Sequence, residues 1–152
     1  MGDRSHRRVG KFYQDQVEQI LGLLKQHFKT GQLSLDAYLN MCEQLGEDPD
    51  PEKMPPTLEN YPHEVQVAFF IHQLLPDRWE GMSGHYMGKD MSSLGTLLDV
   101  WNVEDKKTVV YFIKHIESNQ ARQINEEAEQ RRKAKSKQSK GQGGINSANI
   151  KR

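Results

Sequence analysis

The stretch Glu64–Leu75, EVQVAFFIHQLL, constrains this chain more than any other. Val65, Val67, Ala68, Phe69, Phe70, Ile71, Leu74 and Leu75 leave it apolar nearly all round. A helix without a polar face belongs at the centre of a core, with the other elements packed around it. Pro62 suits its first turn, Glu64 complements the helix dipole there, and Pro76 ends it. The β-branched and aromatic content makes a strand the competing reading.

Amphipathic helices are available to surround this segment. In residues 11–29, Tyr13, Val17, Ile20, Leu21, Leu24 and Phe28 fall on one helical face. Gly31 is a stop signal and Ser34 an N-cap for a second helix, about 35–45, with Leu33 and Tyr38 spaced as a hydrophobic staple. Leu35, Tyr38, Leu39, Cys42 and Leu45 share its apolar side, and Gly46 ends it. So short a joint predicts an antiparallel helical hairpin over 11–46, after a flexible N-terminus of residues 1–10. Five of the six prolines fall within 46–62, which predicts an extended acidic linker over 47–61 held down by Met54, Leu58 and Tyr61.

Beyond the central helix, Ser92 or Ser93 caps a short helix whose stripe is Leu94, Leu97, Leu98 and Trp101, and Asn102 breaks it. A long helix then starts near Glu104–Asp105, with Val109, Phe112, Ile113 and Ile116 as its core face. Past Glu117 only Ala121, Ile124 and Ala128 are apolar until the tail, so its second half projects into solvent or packs on a partner. Glu127–Arg131 and Glu129–Lys133 are i,i+4 pairs in the favourable order. The expected fold is all-α, with about five helices. A helical hairpin joins a three-helix core over 62–130, and a long C-terminal helix leads into a basic tail over 131–152, disordered or ordered by a partner.

Formal net charge is zero, but the charges are segregated. Glu43–Glu64 holds seven acids and one lysine, whereas Arg131–Arg152 holds eight basic residues and no acid. Such a tail reads as a contact surface for an acidic protein or for phosphates. Arg131, Arg132, Lys133, Lys135, Lys137 and Lys140 would supply the charge, with Ile145 and Ile150 as small anchors. It carries no aromatic residue on which bases could stack. One cysteine, Cys42, builds neither a disulfide framework nor a zinc site, which fits a reducing compartment. The basic start lacks the apolar core of a signal peptide, and no run is long enough to span a membrane. A cytoplasmic location, in a host or a virion if the protein is viral, is expected.

The segment LPDRWEGMSGHYMGKDMSSL looks chemical, but the standard sites fail on spacing. A phosphate-binding loop needs glycine five residues before Gly88 and Ser or Thr after Lys89, where Ser83 and Asp90 stand. The run starting at His63 has Val67 where a zinc protease motif needs its second histidine. His72, His85, His115 and Cys42 have no ligand spacing, and Asp77, Glu80 and Asp90 read as solvated loop charge. No catalytic residue, cofactor or metal is expected. Trp, Tyr, Met and Arg are enriched at the centres of interfaces. A glycine-rich loop over 76–91 presenting Arg78, Trp79, Met82, His85, Tyr86, Met87 and Lys89 is therefore expected to bind other proteins. The competing reading is that Trp79 and Met87 fold back onto the end of the central helix.

The segment YPHEVQVAFFIHQLLPDRWEGMSGHYMGKDMSSL resembles short helical accessory proteins of tailed bacteriophages, which assemble into or onto a virion. The resemblance covers residues 58–130 at most. It rests on a buried helix, a glycine-aromatic loop and a charged terminal helix, and it carries over no site residues. It implies a non-enzymatic assembly or adaptor protein within a multi-subunit structure. The alternative is an accessory protein that binds nucleic acid through its tail.

Overall fold

The computed structural model describes residues 8–29 and 34–142. Among these the chain is mostly helical: α1 Gln14–Lys29, α2 Leu35–Leu45, α3 His63–Leu74, α4 Leu94–Val100 and α5 Lys106–Gln142. Two small antiparallel sheets accompany them, β1 Arg8–Val9 with β2 Phe12–Tyr13, and β3 Asp77–Trp79 with β4 Tyr86–Lys89. The expected helical chain with five helices is present, and these two short hairpins are added to it.

The core lies where α1, α3 and α5 meet. Val17, Ile20 and Leu24 of α1 join Val65, Ala68 and Ile71 of α3, and Val109, Phe112, Ile113 and Ile116 of α5. The apolar stretch is helical, and α3 and α5 form the most extensive helix pair. Its outer face is not covered, however: Phe70 and Leu74 stay exposed, and Trp101 meets Phe70 edge-on at 4.8 Å instead of joining the core.

Helix α1 is an integral wall of the core, while α2 contributes Tyr38 and Cys42 to burial outside the main cluster. Ser34 caps α2 as its sequence implies, its hydroxyl accepting from Ala37 N at 3.1 Å, and Gly46 ends the helix in a left-handed conformation. Gly31 and Leu33 lie outside the described residues. The proline-rich strap is tied down by polar contacts rather than by Leu58, which is exposed. The Tyr38 hydroxyl meets the backbone N and O of Asp50 at 3.1 and 3.3 Å, and His27 Nδ1 lies 3.3 Å from the Pro56 carbonyl. Tyr61 is buried at the end of the strap.

The first helix begins later than its periodicity suggests. Gly10 takes a positive φ in the turn between β1 and β2. A Cβ there would lie 2.0 Å from Thr108 Oγ1, so only glycine lets this turn sit against the start of α5. Phe12 is buried in consequence and Tyr13 is turned outward. At that same end of α5, Asp105 accepts from Thr108 N at 3.2 Å and from its hydroxyl at 2.6 Å. Helix α5 then runs unbroken to Gln142, so the part of the basic segment that is described, 131–142, is helical. No helix among the described residues is long and apolar enough to cross a membrane.

Candidate functional site

Residues 76–91 form a strand–turn–strand clip laid along α5. Pro76 ends α3 and directs the chain into β3, and Asp90 N bonds the Pro76 carbonyl at 2.8 Å to close the base of the clip. At the tip, Glu80 organises the turn. Its N–H donates to the His85 carbonyl at 2.8 Å, its carbonyl accepts from Gly84 N at 2.9 Å, and its carboxylate accepts from Met82 N and Ser83 N at 3.1 and 2.6 Å. Those donors hold the Glu80 carboxyl below the usual carboxylate range, the Ser83 hydroxyl foremost. The pairs Arg78–Gly88 and Trp79–Tyr86 leave Met87 as the extra residue of a bulge.

Three side chains of α5 fasten this clip. The Asn125 amide accepts from Tyr86 N and donates to Tyr86 O, both at 3.0 Å, serving the strand edge as a neighbouring strand would. Glu117 Oε1 accepts from Lys89 N at 2.6 Å, while its Oε2 lies 2.5 Å from His72 Nε2. Arg132 donates to the Ser83 carbonyl at 2.8 Å. Gly88 makes the close approach possible. It has φ +89°, and a Cβ there would lie 2.0 Å from Glu117 Oε1.

Between clip and helix lies a small polar cluster. Tyr86 Oη donates to Asp77 Oδ1 at 2.8 Å, and Lys89 Nζ pairs with the same oxygen at 2.9 Å. Lys89 holds the Asp77 carboxyl below its usual range, with the Tyr86 hydroxyl helping. Burial, then the hydrogen bond to Asp77, raises the Tyr86 phenol. Burial lowers His72, against the opposing pull of Glu117. These groups satisfy one another, and their arrangement secures the clip.

The expected contact residues therefore divide. Tyr86, 1% exposed, and Lys89, whose side chain lies on Asp77, belong to the inner face and are not available to a partner. The outer face carries Arg78, Trp79, Met82 and Met87, with Trp79 55%, Met82 98% and Met87 50% exposed; His85 is exposed too, but its Nε2 lies 3.4 Å from Asn125 Nδ2 on α5. Trp79 also packs on the Tyr86 ring at 4.8 Å, a contact between the two strands of the clip itself. Asp90 accepts from Ser92 N at 2.9 Å, so it too is engaged locally. His72, His85, His115 and Cys42 do not converge, and no cluster of three metal-ligating side chains occurs among the described residues.

Arg131, Arg132, Lys133, Lys135 and Lys137 line exposed turns of α5, and Lys140 lies on the same helix. Both i,i+4 pairs are present, Arg131–Glu127 at 3.7 Å and Lys133–Glu129 at 2.7 Å. Ile145 and Ile150 lie outside the described residues. Sequence reasoning missed Asn125 and Glu117. Their spacing of eight residues, two helical turns, was the available signal. It also missed a shallow groove of about 410 Å³ between α3 and the α4–α5 joint, lined by Phe70, Trp101, Val103 and Glu104. Compared with known proteins, the chain matches no family model, no curated protein and no solved structure.

Proposed function

We propose that this protein is a non-enzymatic assembly or adaptor protein that binds another protein through the outer face of the β3–β4 clip. The observation that carries the reading is the combination of firm attachment and outward apolar display. Asn125, Glu117 and Arg132 hold the backbone of the clip, while Trp79, Met82 and Met87 stand in solvent. A surface ordered before contact loses less entropy on binding, and Trp with Met supplies a large, adaptable contact area. The titratable groups nearest the clip are engaged in holding it, which supports binding rather than catalysis. In this reading the protein works in the cytoplasm or in a virion, as the resemblance to tailed-phage accessory proteins implies.

A photo-crosslinking side chain at position 82, with position 18 on the exposed side of α1 as control, tests this in the cells that make the protein. A discrete protein adduct at 82 only, lost on Trp79→Ser, is expected. Equal adducts at both positions, or an adduct indifferent to Trp79→Ser, would overturn the role of the clip.

A further inference from the structure

Arg131–Gln142 is the terminal stretch of α5, a single helix fastened to the clip at Arg132. Twelve residues make an arm of about 18 Å. Its sequence, RRKAKSKQSKGQ, holds six cations and no acid. Arg131 and Lys133 have acidic neighbours one turn back, but Lys135 and Lys137 have no acid three or four residues away on either side.

The placement of these cations is informative. At about 100° per residue, Arg131 and Lys135 fall on one flank of the helix and Lys133 and Lys137 on the other. Between the flanks runs a narrow seam of Ala134 and Gln138, which Gly141 continues by position. Arg132 points to roughly the opposite side, where it bonds the Ser83 carbonyl. The seam therefore faces away from the clip, with a row of cations on each side.

A protein partner would call for an apolar centre in the contact, and residues 131–139 offer nothing apolar larger than Ala134. Two walls of phosphate on either side of a floor of base edges match the arm instead. A helix 10–12 Å across fits the ~12 Å major groove of B-form DNA, whereas the deep, narrow major groove of duplex RNA does not admit it. We infer that the terminal turns of α5 dock in the major groove of duplex DNA, with the cations on each flank against one phosphate strand. The Ala134–Gln138 seam approaches the bases with little to read them, so binding is largely independent of sequence.

The test is fluorescence anisotropy of a 20-base-pair DNA duplex titrated with the full chain over a salt series. Duplex RNA of the same sequence and polyglutamate serve as competitors. A slope of log affinity against log salt of about −3.5 is expected if the four cations flanking the seam each meet a phosphate. The Lys133→Gln/Lys135→Gln/Lys137→Gln variant should lose about 3 from that slope. These positions are exposed and glutamine is a good helix former, so circular dichroism and melting should match the parent. Absence of DNA binding, or a slope unmoved by the triple variant, overturns the inference. Equal affinity for duplex RNA overturns the groove geometry, and displacement by polyglutamate at equal charge assigns the arm to an acidic protein. Trp79→Ser should leave DNA binding unchanged, so failure of this inference and failure of the clip as a protein contact are separable.

Discussion

Asn125 is the sharpest point at which to test how the clip is held. Replacing it with alanine removes both bonds to Tyr86 and leaves that residue's N–H and C=O facing a shortened side chain. A buried backbone group without a partner costs about 1–3 kcal/mol. Asn125 is only partly buried, so water reaches the gap and the low end applies, about 1 kcal/mol for each group. Alanine returns roughly half a kcal/mol through its better helix propensity. The net is about 1.5 kcal/mol, close to a tenfold change in the clip's opening equilibrium. Native-state hydrogen exchange reads this directly. The amides of Tyr86 and Glu80 should exchange about ten times faster, while those of Ile113 and Ile116 in the middle of α5 keep their protection. Unchanged exchange at Tyr86 would show that Asn125 does not hold the strand, and an equal rise at Ile113 would show that the clip does not open independently of the core.

Three further outcomes follow from the same geometry. Gly88→Ala should destabilise by about 2–3 kcal/mol in urea unfolding, because the new Cβ meets a Glu117 carboxylate already engaged by His72 and Lys89; a loss under half a kcal/mol would contradict the close approach. Tyr61→Phe should raise the melting temperature by a few degrees, since the Tyr61 hydroxyl is buried without a hydrogen-bond partner among the described residues; a fall would mean that the hydroxyl is satisfied. His27, His72 and His115 are all held below 6.5, chiefly by burial, so the unfolded chain binds protons before the folded one does. Their stabilising contribution is present above pH 6.5 and is lost as pH falls from there toward the lowered folded values. Urea midpoints measured from pH 8 to pH 5 should decline below about 6.5, and a flat profile would refute the assignment.

The legible parts of the fold were those where a single local pattern decides. Val109, Phe112, Ile113 and Ile116 repeat at helical spacing and are buried, and Ser34 with Gly46 brackets α2 as cap chemistry dictates. Phe12 and Tyr13 exchanged roles because Gly10 answers to Thr108, nearly a hundred residues away, and no local period carries that information. The strands of the clip escaped for a related reason. DRW and YMGK are too short to show alternation, and the edge of β4 is completed by Asn125 instead of by a third strand. Residue type singled out Trp79, Met82 and Met87, which are exposed, and equally Tyr86 and Lys89, which face inward. Only the pairing with Asp77 tells inward from outward.

The three residues that fasten the clip stand at 117, 125 and 132 on α5, two helical turns apart each time. They are spread along a helix about 55 Å long that also carries the arm. A load applied at the tip of that helix would reach Arg132 first, then Asn125, then Glu117. Pulled from the tip, the joint peels in sequence; pulled along its length, all three fastenings share the strain. The clip is thus expected to yield at lower force under tension from one end than under shear, an anisotropy that a single-molecule pulling experiment with the handle moved between positions 80 and 139 would expose.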